Sequence, residues 1–360
     1  MNQSCVILGA GFSKALAKLP LTNELFDRFK IILEEQRKNN GHFFKRGVEI
    51  FDFQNRLKEK INTYYNKISQ GGNITTKDFL NDFEGICTFI DFNLAFELHV
   101  LTQKGHEVSD LTGLPLFAEL PSTTLSLVRG YIADYLYLTF VTAQLDEKLL
   151  EKLYDKVLFN SSAVITFNYD LILEKFLFLI KKWYPSDGYG IKTKFSQELN
   201  PKYNGAKSEI EILKLHGSIN WNIQDDSCDY IDIELTDIWG NHFFPEYLHP
   251  DVPKNYYGIY SSSTWFLPSW IKQFQYPQVV DIWHKASDKL NNSEEVYFIG
   301  YSLPKPDSAV YALLSTIDFS NKKVTIVDPS ADLLKPNFAK ILRKNDILTV
   351  SKNLEVYLNK

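Results

Sequence analysis

Apolar residues in this chain gather into short runs that stop abruptly at glycine or polar residues. Cys5-Val6-Ile7-Leu8 runs into Gly9-Ala10-Gly11-Phe12-Ser13, and Ala163-Val164-Ile165-Thr166-Phe167 into Asn168-Tyr169-Asp170. Ile210 to Leu215 ends in His216-Gly217-Ser218, Val296 to Ile299 in Gly300-Tyr301-Ser302-Leu303, and Val324 to Val327 in Asp328-Pro329. Continuous apolar runs of this length suit strands buried on both faces, as in a parallel sheet flanked by helices. Helical spacing follows most of them. Leu21, Leu25, Phe29 and Ile32 share one face, with Thr22 as a cap and Glu24 in the first turn. Residues 171–181 are very apolar, Val279, Trp283, Ala286 and Leu290 repeat at helical intervals, and 308–317 continue the alternation. The tail, 333–358, reads as a helix and a final strand. The prediction is an α/β chain with a Rossmann-like parallel sheet.

Two stretches break the pattern. Residues 39–160 carry few β-branched runs. Phe79, Phe83, Ile86, Ile90 and Leu94 mark one helix, Leu125, Val128, Ile132, Tyr135 and Leu138 another, and 148–158 a third, with Gly71-Gly72-Asn73 as a loop. This predicts a helical insertion, 39–159, in a discontinuous domain built from 1–38 and 160–360. Residues 184–208 are polar and predict a loop or small lobe. Residues 219–276 are aromatic-rich and irregular, with Trp221, Trp239, Trp265 and Trp270; they suggest no definite element, and their aromatics suit packing, with a pocket lining or a subunit interface open for one of them.

Charge and cysteine content narrow the partners. The 360 residues carry a net charge of -5, so the chain is no electrostatic trap for nucleic acid, and no direct nucleic-acid binding is expected. Cys5, Cys87 and Cys228 are too far apart for a thiolate zinc site or a disulfide framework. The seven histidines show no metal-ligand spacing, so no catalytic metal is expected. With no signal-like start and no apolar run of membrane-spanning length, a cytoplasmic protein with no membrane association is expected.

If the five runs are parallel neighbours, their polar ends converge on one crevice beyond the carboxyl ends of the strands. Gly9 and Gly11 then let the backbone approach a phosphate at a helix N-terminus. The six-residue dinucleotide fingerprint is incomplete, because Lys14 stands at its third glycine. A tight turn with no ligand is the plainer reading of that stretch alone.

Gly9-Ala10-Gly11-Phe12-Ser13, Thr166-Phe167-Asn168-Tyr169-Asp170, Leu215-His216-Gly217-Ser218 and Ile299-Gly300-Tyr301-Ser302-Leu303 together resemble the sirtuin signature in order and approximate spacing. Within it they are most similar to the sirtuin-like domains of bacterial anti-phage defence systems. Pro20-Leu21-Thr22, Phe266 to Trp270, and Trp283 with Ala286 fit that branch too. The four-cysteine zinc module of protein-deacylating sirtuins is missing from the sequence, and Lys18 to Thr22 replaces their Ile-Pro-Asp-Phe-Arg-like stretch. The resemblance therefore implies NAD+ hydrolysis at the nicotinamide–ribose bond rather than deacylation. It further implies a gated effector that depletes NAD (abortive infection), a homo-oligomer, and an activating partner such as a HerA-type ATPase, a short Argonaute or a nucleotide-sensing protein.

In that reading Asn168 orients ribose and water, His216 takes a proton, and Asp170 stabilises developing positive charge or holds the nicotinamide amide. Gly9, Ala10, Gly11, Phe12, Ser13, Thr166, Gly300, Ser302 and Leu303 line the NAD site, and Asp328 accepts from the adenosine ribose. Each has a plainer role: Asn168 and Asp170 as helix caps, His216, Ser302 and Asp328 as turn residues. Three other functions stay open: a non-catalytic module binding NAD or ADP-ribose, a deacylase or ADP-ribosyltransferase, and an ordinary dehydrogenase. The last would want the full fingerprint.

Overall fold

The computed structural model describes residues 4–19, 21, 24, 146–195, 197–222, 229–235, 243–251, 263–265, 277–304 and 307–359. The helices expected over 79–94 and 125–138 and the loop at 71–73 lie outside them, as does the helix expected over 21–32 apart from Leu21 and Glu24. The chain divides into two compact units, one of Met1–Leu19, Leu136–Phe266 and Lys272–Lys360, the other of Pro20–Tyr135 and Leu267–Ile271. All that follows concerns the first.

Its centre is a six-stranded sheet. Strand β1 (Ser4–Leu8) pairs on one side with β2 (Ser161–Thr166), which pairs with β4 (Glu211–Lys214). On its other side it pairs with β8 (Glu295–Ile299), followed by β9 (Lys323–Val327) and β10 (Ile347–Val350). Every pairing is parallel, and the order is β10-β9-β8-β1-β2-β4. Counted along this sheet alone, that is the doubly wound order 3-2-1-4-5-6. Its direction of winding reverses between β1 and β8. The five runs that end in polar residues are thus parallel neighbours.

The strands are apolar because helices cover the sheet. Helix α1 (Ala10–Ala17) follows β1, α2 (Glu147–Leu153) with a π-turn (Tyr154–Leu158) leads into β2, and α3 (Ile172–Leu179) follows β2. Helix α4 (Pro277–Asn292) turns Val279, Ile282, Trp283, Ala286 and Leu290 inward at helical spacing and packs on β2 and β4. Helices α5 (Ser308–Thr316) and α6 (Ala331–Leu342) separate the last three strands, and α7 (Leu354–Leu358) closes the tail. That last helix follows the strand with which the tail was expected to end.

Cys5 lies fully inside β1. Burial pushes its thiol up to about 12, against the pull of Lys289 and Lys322. At pH 8 the thiolate fraction is then about 1 in 10,000, so alkylation should leave Cys5 untouched in the native protein and modify it in urea. Peptide mass mapping reads this directly. Native labelling as fast as in urea would mean the first strand is not buried.

A second sheet, of order β3-β6-β5-β7, joins the polar stretch 184–208 to the irregular aromatic one. It is built from β3 (Thr193–Phe195), β5 (Gly217–Asn222), β6 (Ile231–Ile233) and β7 (Ser263–Trp265). Trp183, Tyr189, Trp221 and Phe244 are buried beside it. Tyr189 meets Trp183 and Trp221 edge-on, with centroids at 4.9 and 5.0 Å. Edge-to-face contacts add about 0.5–1.5 kcal/mol each beyond burial, so packing accounts for Trp183, Tyr189 and Trp221.

Candidate functional site

The site forms where the winding reverses. Gly9 follows β1, and its N–H donates to Ile299 O at 3.1 Å. Gly11 N–H donates to Gly300 O at 2.9 Å, and Gly300 N–H to Val327 O at 3.0 Å. The loops after β1 and β8 therefore lie against each other as bare backbone. Gly300 has φ +60°, a conformation that suits glycine, and Gly11 sits where a side chain would strike it. Phe12 N–H donates to Gly9 O at 3.0 Å. Three of the turn's amides thus serve the fold.

From β2 comes the polar side of the crevice. Thr166 Oγ1 donates to Leu8 O at 3.3 Å and accepts from Asn168 N–H at 3.1 Å, tying the ends of β1 and β2 to the loop. Asn168 Nδ2 donates to Gly9 O at 3.0 Å and to Ser13 Oγ at 2.9 Å. Ser13 Oγ in turn donates to Asp170 Oδ2 at 2.7 Å, and Asp170 Oδ1 accepts from Ile172 N–H at 3.1 Å. Both amide hydrogens of Asn168 are thus committed, while its Oδ1 enters no hydrogen bond among the described residues. The half-buried amide is pinned with an acceptor to spare.

Beneath this loop sits a buried ion pair. Lys214 Nζ, on β4, lies 2.6 Å from Glu174 Oε1, on α3, with the two side chains 1% and 2% exposed. Burial pushes the Glu174 carboxyl up, and Lys214 draws it back. The same ammonium donates to the carbonyl of Asp170.

His216 stands in the sharp reversal between β4 and β5. Gly217 makes it possible with φ +81°. Trp283 Nε1, from α4, donates to Leu215 O at 3.1 Å and holds the reversal down. The imidazole is buried, with Phe167 at 5.1 Å between ring centroids and Tyr169 at 6.2 Å. Its Nε2 lies 3.4 Å from Asp307 Oδ1, and Asp307 Oδ2 accepts from Tyr301 OH at 3.1 Å. Tyr301 stacks on Phe167 at 4.5 Å.

Two clusters result: Asn168–Ser13–Asp170 against the glycine turn, and His216–Asp307–Tyr301 against Phe167. Phe167 and Asn168 are consecutive, so the loop after β2 joins them. Leu303 is buried at φ +55°, and its carbonyl accepts from Tyr311 OH at 2.9 Å, which fixes the loop after β8. Ser302 is exposed on that loop. Asp328 follows β9, beyond β8 from the glycine turn, and its Oδ1 accepts from Ser330 N–H at 2.8 Å. Neither is hydrogen-bonded to either cluster.

Asp307, Lys214 and Glu174 were not anticipated. Asp307 precedes a helix and reads as a cap. Nothing in the sequence singles out the pair: Glu174 stands beside Lys175 in one mostly apolar segment, and Lys214 shares another with Glu211. Among the described residues, no group of three or more His, Cys, Asp or Glu is placed to hold a metal ion. No helix among them is long and apolar enough to cross a membrane.

A parallel sheet of this order, with glycine loops meeting at its reversal, defines a Rossmann-like α/β protein. The chain belongs to the SIR2-like domain family, which matches residues 162–349, just over half of its length. Among solved structures it is similar to a Sir2 homologue variant with ADP-ribose (10% identity, TM-score 0.39, covering 100% of this chain and 90% of that one). It is also similar to a Sir2 variant with deacetylated p53 peptide and 3'-O-acetyl ADP-ribose (12%, TM-score 0.41, covering 99% and 91%). A third is a Sir2 homologue–NAD complex (12%, TM-score 0.33, covering 71% and 75%). A comparison with curated proteins finds no match.

Proposed function

We propose that the chain is an NAD+ glycohydrolase that releases nicotinamide, acting as a gated effector of anti-phage defence. The observation that carries this reading is the pinned Asn168 beside a buried histidine–carboxylate pair at the reversal of a dinucleotide-type sheet. Nicotinamide leaves as a neutral molecule, so the step asks little of an acid. It asks instead for a water held in place and for stabilisation of a ribose that gains positive character. Asn168 Oδ1 accepts a hydrogen bond from that water or from a ribose hydroxyl. His216 takes the proton. Asp170, held by Ser13 and the start of α3, supplies fixed negative charge. The remaining amides of the glycine turn and the N-terminus of α1 face the phosphates, Ser302 and Leu303 flank them, and Asp328 reaches the adenosine ribose through Oδ2.

An effector of this kind is gated by self-assembly or by an activating partner, such as a HerA-type ATPase, a short Argonaute or a nucleotide-sensing protein. For self-assembly, the contact we assign is the segment 39–159, which the sequence pattern reads as a helical insertion.

The test is NAD+ consumption by the full chain, with nicotinamide and ADP-ribose resolved. His216→Ala and Asn168→Ala are each expected to lower turnover by about 100- to 10,000-fold, the range for a lost proton-transfer or positioning group. Melting temperatures should stay within a few degrees of wild type. Turnover by both variants at the wild-type rate would refute the assignment. Tight NAD+ binding with no turnover, alone or with candidate partners, would favour the non-catalytic module.

A further inference from the structure

We infer that Asp307 is a positioning residue for His216: its carboxylate faces Nε2 at 3.4 Å, a charge contact rather than a hydrogen bond, and biases the proton to that nitrogen so that Nδ1 carries the lone pair. The inference rests on the reading of His216 as the base.

The local sequence gives Asp307 a different job, and the structure shows that job undone. Asp307 occupies the N-cap of α5, where an aspartate ordinarily accepts from the helix's own N–H groups and contributes about 1 kcal/mol. Its side chain makes no such bond. It turns instead to the imidazole and the Tyr301 hydroxyl, with the His216 and Asp307 side chains 6% and 8% exposed. A carboxylate buried this far needs partners, or burial costs several kcal/mol. Those partners come from two elements distant in sequence, the reversal after β4 and the loop after β8. The loop is held for the purpose: Asp307 N–H donates to Pro304 O at 3.1 Å, and Tyr311 OH clasps Leu303 O.

The consequences for His216 follow from charge and geometry. A carboxylate beside Nε2 favours the tautomer with its proton there and stabilises the imidazolium formed once the base has worked. Other titratable groups facing the imidazole are few among the described residues. Tyr169 lies ring to ring at 6.2 Å, Tyr301 acts through Asp307, and Lys214, two residues back, is committed to Glu174 and the Asp170 carbonyl. Among the described residues, Asp307 is the carboxylate nearest this ring.

The experiment uses the full chain with ¹³C-labelled histidine, titrated by NMR, alongside the pH profile of NAD+ hydrolysis. Asp307→Asn keeps the shape and removes the charge. The expected result is a fall of about one pH unit or more in the His216 titration, as when an opposite charge is withdrawn from a buried group. The acid limb of the kcat profile should move the same way, because the base works only when unprotonated. We expect kcat to drop about 10- to 100-fold, the usual cost of losing an outer partner of a working histidine, with KM nearly unchanged. Asp307→Glu, which keeps the charge, should restore the position of the acid limb and part of kcat.

An unchanged His216 titration and an unchanged profile in Asp307→Asn would overturn the inference. So would a rise in kcat/KM, which would mean that the carboxylate blocks the base. Should Asp307→Asn fail to fold, Tyr301→Phe removes one donor from the carboxylate and should move the His216 titration upward; no movement overturns the inference. If wild type consumes no NAD+ even with candidate partners added, the hydrolase reading fails on its own account, and the titration alone decides the pairing.

Discussion

Alanine at Gly300 is expected to leave little or no folded protein. Two costs combine. At φ +60° a side chain adds about 1–2 kcal/mol of backbone strain. The added Cβ would also stand 2.6 Å from Gly11 C and 2.9 Å from Gly11 Cα, and inside the van der Waals sphere of Phe12 N. All three are backbone atoms, held by the bonds from Gly9 N to Ile299 O and from Gly11 N to Gly300 O. No side chain can swing aside, so the loops after β1 and β8 must part. That separates the central pair of strands at the reversal, and a loss of more than about 4 kcal/mol is expected, enough to consume much of a domain's stability. Gly205 supplies the control. It too has positive φ, at +77°, yet a Cβ there meets nothing within 4 Å. Gly205→Ala should cost only the strain, about 1–2 kcal/mol. Urea denaturation of both variants separates the terms: equal losses would mean that the two loops do not meet.

The same loop contact explains what sequence pattern can and cannot reveal here. Strands β1, β2, β4, β8 and β9 are legible because each is largely buried and therefore mostly apolar, with Glu211 and Lys214 of β4 as exceptions. That they run parallel follows once the polar ends are required to meet, whereas their order is seen only in the fold. The glycine turn is also legible, but its physical reason is double. Gly9 and Gly11 suit approach to a phosphate, and they also make room for the backbone of Gly300, a partner almost 300 residues away. The second sheet is hidden because β3, β6 and β7 are three residues long, too short for alternation to register. His216 stands out by its motif, whereas its carboxylate does not. Asp307 satisfies the local rule for a helix cap, and only the tertiary fold reveals that its side chain has left that role. Ser13 is similar: beside a glycine turn it suggests a phosphate ligand, and in the fold it links Asn168 to Asp170.

Lys214→Met is expected to be the most damaging single change among the charged residues beneath the site, and its damage should depend on pH. The wild-type pair is buried, so removal of one partner leaves an uncompensated charge at a cost of about 3–5 kcal/mol. The remaining Glu174 carboxyl is already pushed above its ordinary 4.5 by burial, with Lys214 pulling it back. Without the lysine it rises further. The folded variant then holds a proton that the unfolded chain has released, so stability falls as pH rises from about 4.5 to the raised folded value. Below that window both states are protonated and the penalty shrinks. Urea midpoints measured from pH 4 to pH 8 should therefore diverge from wild type as pH rises. The double change Lys214→Met with Glu174→Leu removes the charge altogether. It should recover most of the lost stability and lose the added pH dependence. Hydrolysis should not recover with it, because the Lys214 ammonium also holds the Asp170 carbonyl. A double variant as active as wild type would mean that the pair serves folding alone. A single variant as stable as wild type at pH 8 would mean that the two charges do not depend on each other.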